Sequence, residues 1–419
     1  MGVLKLIILA VVMVGVHGAC KVDTDRSIRL FQEYLRINTT TYGDMQPAVD
    51  FWTNLAESLD LPVKVLEFYP GMPIVIIKWE GTDDNLPRIM LNSHMDVVPA
   101  DPSLWIHHPF GGEISSDGKI YGVGTQDMKS VAIQYFEALY RITKVRKIKL
   151  RRTFYLTMMP DEEVGGFFGM QALVNSEYFK EMRIACEMDE GGPFPMEPIP
   201  IFYQDKTPWH VQIDCYGEGG HGSTFPASND TAVGQCKNVM DYLLQYRDEQ
   251  FAIAATAAIN NAGVFTSVNL NRLHAGTANN VIPSHVQLVF DIRLGSNVHE
   301  DEFEAQLNRW VKASGPRVEM TFLLKDPQSP ATVLDDTNPY WVAIRDAVTK
   351  KGFQLLPAIP PGSTDARHIR SDKISAFGFS PMPNTPLLLH MVDEHVTVDT
   401  FLKGIEIYEG ILYNLGRLQ

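Results

Sequence analysis

The chain is poor in cysteine, with four in 419 residues at positions 20, 186, 215 and 236. That is too few for the disulfide framework of small secreted folds, although one bridge is possible in an oxidising compartment. Basic residues are also outnumbered. Thirty-six Lys and Arg against 50 Asp and Glu leave a formal net charge of −14. Phosphate binding needs a basic face, so nucleic acid is excluded as a partner, and part of the acidity is expected to line a site. The apolar run Leu6–Val16 behind Lys5 is short for a membrane span. It suits the apolar segment of a secretory signal (residues 1–18) cleaved near Gly18, leaving no membrane span after processing. An uncleaved anchor, or a lipoprotein signal ending at Cys20, is the competing reading, and His17 suits the latter poorly. A dinucleotide fingerprint is missing too, because Gly122-Val-Gly124 lacks the third glycine. Repeats and low-complexity tracts are absent.

What is present begins with size. At 419 residues the chain exceeds what one core usually holds, so two domains are expected. Three apolar runs that read as buried strands each end abruptly in polar, metal-competent residues. Ile89-Met-Leu91 runs into His94-Met-Asp96; Thr153–Met159 into Asp161-Glu162-Glu163; Ile184–Met188 into Asp189-Glu190. In open α/β sheets the carboxyl ends of strands are where sites form. Consecutive carboxylates at such an end repel one another unless a cation neutralises them. Any one of these endings has an ordinary explanation: a core histidine, a solvated acidic loop. Three together point to a metal site. Asp127 follows the Gly122-Val-Gly124 turn and opens a run, Met128 to Leu139, at helical spacing. An N-cap is its plain alternative role. His107 and His108 fall in a loop and read as surface residues.

Around Trp209 the pattern changes. A strand over 210–216, a helix over 231–246, strands over 265–273 and 286–294, a helix over 300–313 and a strand over 318–324 give the order β-α-β-β-α-β. That is the ferredoxin-like plan, here inserted into the first domain. The expected boundaries are 19–205 and 327–419 for the two parts of the first domain and 206–326 for the insert. The last part delivers His390 just after Leu387-Leu-Leu389. Asn38-Thr-Thr and Asn229-Asp-Thr are glycosylation sequons if the chain is secreted.

The motifs Leu91-Asn-Ser-His-Met-Asp-Val-Val-Pro99, Gln126-Asp-Met-Lys129, Pro160-Asp-Glu-Glu-Val-Gly-Gly166, Asp189-Glu-Gly191, Gly219-Gly-His-Gly222, Asn280-Val-Ile-Pro283, Thr364-Asp-Ala-Arg367 and Phe379-Ser-Pro-Met382 span nearly the whole chain beyond the signal. In this order they resemble the M20 metallopeptidase family, and within it most closely the aminoacylases. The resemblance implies an α/β di-zinc exopeptidase-type catalytic domain with an inserted ferredoxin-like α+β dimerisation (lid) domain, working as a homodimer. It implies two Zn2+ per chain, one held by His94, Asp127 and Glu190 and the other by Asp127, Glu163 and His390. Glu162 is then the general base, Asp96 orients His94, and His221 reaches the partner subunit's site to stabilise an oxyanion. Asn280, Arg293 and Arg367 fall at substrate-binding positions, Arg367 for the α-carboxylate. Asp189 is the alternative ligand to Glu190, and His395 a weaker rival to His390. The implied reaction is hydrolysis of N-acyl-L-amino acids, a small-molecule substrate class, with long fatty-acyl groups included. A dipeptidase or carboxypeptidase on the same scaffold is the alternative; a fold retained only for binding fits poorly with so complete a set of ligands. The sequence departs from the family pattern in two places: Val123-Gly124 stands where an Arg is common, and Met391 follows His390. The signal-like start argues for secretion, against a cytoplasmic location as in familiar aminoacylases.

Overall fold

The computed structural model describes residues 26–258, 260, 262–370 and 373–419, so the signal segment and its cleavage point lie outside the described residues. The chain divides into two compact units. One comprises residues up to Ile201, Thr332–Leu356 and Thr364–Gln419; the other comprises Phe202–Ala331 and Pro357–Ser363.

The first unit is built on an eight-stranded sheet in the order Val63–Glu67, Pro73–Trp79, Phe154–Met159, Arg88–His94, Ile184–Asp189, Ser375–Phe379, Ile199–Phe202, Leu355–Ala358. The strands Phe154–Met159, Arg88–His94, Ile184–Asp189 and Ser375–Phe379 pair in parallel, and Pro73–Trp79 joins antiparallel. Apolar residues run continuously through the central strands because both faces are covered. Alternate residues sort to opposite sides. Val75, Ile77, Ile89, Leu91, Phe154, Leu156 and Met158 pack with the helices Gln46–Glu57, Lys129–Tyr140, Pro339–Lys350 and Val398–Leu415. Ile74, Ile76, Met90, Tyr155 and Met159 pack with Met170–Val174, Glu177–Met182 and Ala366–Arg370. This period of two is that of the pleat. The helix Lys129–Tyr140 is buried from Lys129 through Leu139. Side-chain caps fix other helix starts: Asn338 accepts from the Tyr340 and Trp341 amides, and Thr397 from that of Thr400.

The second unit is a four-stranded antiparallel sheet ordered Ser267–Ala275, His285–Leu294, Thr207–Tyr216, Val318–Lys325, with the helices Ala232–Thr256 and Glu300–Ser314. Its chain order is the β-α-β-β-α-β expected. Trp209, Val211, Ile213 and Cys215 alternate inward and pack with Cys236, Val239, Leu243, Phe303 and Leu307 on the two helices. Cys215 and Cys236 form a disulfide between strand and helix, and Cys186 is a buried free thiol. The first helix runs to Thr256, ten residues past the expected 246; its buried face ends at Leu243, and the apolar Phe251 and Ile253 of its distal turns are exposed, so no core-facing spacing marks them. Among the described residues no helix is long and apolar enough to cross a membrane.

Candidate metal centre

The polar strand endings converge. His94 is the last residue of its strand; Glu162 and Glu163 follow Phe154–Met159 in a short 3-10 turn; Glu190 follows Ile184–Asp189. Asp127 precedes the buried helix Lys129–Tyr140, and its peptide to Met128 is cis. His94 Nε2 lies 3.0 Å from Asp127 Oδ1 and 3.5 Å from Glu190 Oε2. His390 Nε2 lies 3.2 Å from Asp127 Oδ2 and 3.0 Å from Glu163 Oε2. Asp127 therefore stands between two imidazoles, one on each carboxylate oxygen. His94, Asp127 and Glu163 offer ligand atoms within 4.8 Å of one another, and so do His94, Glu162 and Glu190. His94 is 1% exposed whereas His390 is 51%, so the centre has a closed side and an open one.

Electrostatics explain why such a set suits a cation. Burial opposes ionisation of Glu190, Glu162 and Glu163, and the neighbouring acids push their carboxyls higher still. Burial also opposes charging His94, yet Glu190, Asp127 and Asp96 raise its pKa well above normal. Hydrogen bonds from Asp127 and Glu163 push His390 up to about 10. Asp127, though buried, is driven below the usual carboxylate range by His390 and His94. Three carboxylates and two imidazoles that hold protons tightly around an ionised Asp127 form a donor set that exchanges those protons for divalent metal, and oxygen and imidazole donors suit zinc.

The remaining acids of the motifs are engaged elsewhere. Asp161 accepts from the Phe168 and Gly169 amides at 2.7 and 2.8 Å, which fixes the acidic turn and leaves Glu162 and Glu163 to the centre. Asp189 accepts from the Glu190 amide, Asn92 Nδ2 and the Ala366 amide, so it aims Glu190. Asp96 acts differently from expectation in one respect. Its carbonyl, at 2.8 Å, takes the hydrogen bond of His94 Nδ1, while its carboxylate, 3.5 Å from that nitrogen, accepts from the amides of Glu162 and Glu163. One residue thus orients both the histidine and the acidic turn. Gly166 completes that turn at φ +65°, and a Cβ there would meet Asp365 Oδ1 at 2.2 Å.

Arg367 is 5% exposed, and its guanidinium donates to the carbonyls of Thr364 and Gly165, the latter just beyond Glu163. Lys129 is buried; its ammonium donates to the carbonyls of Tyr34 and Ile37 at the end of the helix over 26–35, and burial lowers its pKa to about 7. His395 Nδ1 is 2.7 Å from the Asp393 carbonyl, and its ring packs 4.9 Å from that of Tyr121, outside both donor groups. His107 pairs with Glu113. Val123 is buried, Met391 exposed. In the second unit, His221 lies on a two-residue strand paired with Val281–Ile282, and the Asn280 carbonyl accepts from Gly222 at 2.7 Å, so these two sequence motifs meet. His221 is exposed, with Nδ1 2.7 Å from Ser223 Oγ. Arg293 lies further along the strand His285–Leu294, paired with Asp291 and 3.3 Å from Ser363 Oγ. Two residues beside the centre carried no signal of their own in the sequence: Gln126, read only as part of a motif, and Glu394, which accepts from the Gln126 amide.

The chain is 39% identical to Aminoacylase-1 of Mus musculus over 387 residues, 92% of this chain and 94% of that one. It is 26% identical to the N-fatty-acyl-amino acid synthase/hydrolase PM20D1 of Xenopus tropicalis, covering 81% of this chain and 74% of that one. The fold matches human carnosine dipeptidase 1 with a TM-score of 0.72 at 13% identity, over 96% of this chain and 98% of that structure. Residues 90–414, which hold every proposed ligand, match the model for peptidase family M20/M25/M40, and the chain belongs to that family.

Proposed function

We propose that the chain is a zinc-dependent amidohydrolase that cleaves N-acyl-L-amino acids to a carboxylate and a free amino acid. The observation that carries this is Asp127 set between His94 and His390 at 3.0 and 3.2 Å. In this reading His94, Asp127 and Glu190 hold one zinc and Asp127, Glu163 and His390 the other. A pair of divalent cations supplies polarisation of the scissile carbonyl and a water of lowered pKa. Glu162 is within ligand reach of His94 and Glu190, but unlike Asp127, Glu163 and Glu190 it makes no contact with either imidazole. In this reading it is, as the family resemblance implies, the general base, taking the proton of the attacking water and delivering it to the leaving nitrogen. Asp96 holds Glu162 in place through its amide. Asn280, Arg293 and Arg367 recognise the substrate, and His221 of a partner subunit donates to the developing oxyanion.

The relatives named for aminoacylase and for fatty-acyl amino acids support the acyl-amino-acid class over dipeptides; the dipeptidase likeness, at 13% identity, speaks for the fold alone. Secretion is supported by the bridge Cys215–Cys236 and by the exposure of Asn38 and Asn229 in their sequons. The test is a panel of N-acyl amino acids varied separately in acyl length and side chain, run beside dipeptides, with zinc measured on the same protein. N-acetyl-methionine turnover that chelator abolishes and zinc restores is expected. Turnover confined to dipeptides, or full activity in chelator without bound metal, would overturn the reading.

A further inference from the structure

Two loops deliver the open half of the centre: residues 122–127 bring Asp127, and residues 386–395 bring His390. Neither loop is a strand or helix at its ligand, and His390 and Asp393 both adopt left-handed backbone, φ 60° and 58°. Something other than secondary structure must hold them in register. Glu394, 1% exposed, accepts at Oε1 from the Gln126 amide (2.6 Å) and the Thr125 hydroxyl (3.2 Å), and at Oε2 from the Gly124 amide (3.2 Å). In return Gln126, also 1% exposed, donates from Nε2 to the carbonyls of Pro386 and His395 at 3.0 and 2.9 Å, and accepts at Oε1 from the Leu388 amide at 2.9 Å. Each loop thus sends one buried side chain into the backbone of the other. The residues bonded by Gln126 bracket His390 on both sides, and those bonded by Glu394 end one residue before Asp127. Gly124, at φ +86°, is part of the same fit: a Cβ there would lie 3.0 Å from Val97 and 3.1 Å from Lys129.

We infer that Glu394 and Gln126 are positioning residues that form a reciprocal clamp, setting the spacing of Asp127 and His390 and hence the affinity of the metal those two share with Glu163. The inference rests on the proposed ligand sets. The clamp acts mainly on one metal of the two: Asp127 serves both, but the other metal keeps His94 and Glu190, which are held by strand ends and by Asp96 and Asp189. Groups that orient ligands without touching the metal typically carry 10- to 100-fold in metal affinity.

The test uses the full chain, stripped with chelator and titrated with zinc against a chromophoric competitor. Glu394→Gln puts an amide N–H against backbone donors, and Gln126→Met keeps the shape while removing three hydrogen bonds. Each is expected to weaken one zinc by about 10- to 100-fold and the other by clearly less, since Asp127 is common to both but His94 and Glu190 stay anchored. Each should lower kcat at limiting zinc, with recovery in excess zinc and KM unchanged. The double variant should lose little more than either single one, since both break the same clamp. Both zincs retained at wild-type affinity, both lost in parallel, or a kcat that excess zinc does not restore would overturn the inference. Gln126→Met carries the test alone if Glu394→Gln does not fold. A wild-type chain that binds no zinc fails the ligand reading instead, and the two failures are distinct.

Discussion

Neighbouring carboxylates in one short turn can have different tasks, and Asp161, Glu162 and Glu163 separate by what surrounds each. Asp161 is consumed by two backbone amides, Glu163 reaches His390, and Glu162 touches neither imidazole. Glu162→Gln is therefore expected to lower kcat by at least about 100-fold, the loss of a general base, with both zincs retained. Glu163→Gln should lose metal as well as activity. Equal zinc loss in the two variants, measured by elemental analysis, would reverse the roles. A second residue-scale case lies in the other unit. The Lys206 ammonium is buried with no hydrogen-bond acceptor among the described residues, 3.7 Å over the Phe265 ring, and burial with the nearby Arg293 lowers its pKa to about 8. Between pH 8 and the unfolded value near 10.5 the unfolded chain binds more protons than the folded one, so stability rises with pH across that window. Below about 8 the full cost of the buried charge remains. Lys206→Met should raise stability by about 1–2 kcal/mol at pH 7, after allowance for partial solvation. The gain should shrink between pH 8 and 10. A melting-temperature difference that is constant over this range would show that the charge is not the cause.

At the scale of elements, legibility followed burial. The strands through Arg88–His94, Phe154–Met159 and Ile184–Asp189 are buried along nearly their whole length, and their apolar runs stood out in the sequence. Their ligand-bearing ends were legible for the same reason, since polar residues there interrupt an otherwise apolar pattern. The short strands Ile199–Phe202 and Leu355–Ala358 were not, because four residues with prolines inside them carry no period. The clamp was illegible on a different ground: Glu394 acts across 268 positions on Gln126, and no local pattern reports such a pairing. The strand–helix bridge was equally hidden, four cysteines allowing three pairings of two bridges. Cys215–Cys236 closes a loop with a sequence separation of 21, for which chain entropy gives about 3 kcal/mol. Replacing both with Ala should lower the melting point of the unit Phe202–Ala331, and reductant should destabilise the wild type but not the variant. Identical melting of wild type and variant in oxidising buffer would mean that the bridge does not form.

At the scale of the whole molecule, the expected processing and the proposed dimer each make a prediction. Native material should begin near Ala19 or Cys20 by mass spectrometry if the apolar start is a cleaved signal; an intact Met1 would refute processing. The assembly prediction turns on His221. It sits in a run, Gly219 to Phe225, that is exposed throughout, with the Phe225 side chain fully in solvent. Among the described residues both side chains stay exposed on this paired, hydrogen-bonded loop. If His221 donates to the oxyanion in a partner's centre, its loss removes an interaction worth on the order of 3 kcal/mol in the transition state. His221→Ala should then cut kcat by about 100-fold or more, while zinc content and melting stay at wild-type values. Glu162→Gln is inactive for a different reason, and in a dimer the two lesions complement. A mixed dimer has one centre with intact Glu162 and an intact His221 arriving from its neighbour, and another lacking both. Subunit exchange between the two inactive parents should restore up to about half of the wild-type activity per dimer, one of two centres being whole. A verified heterodimer that stays inactive would place His221 in its own chain's chemistry, or outside the chemistry altogether.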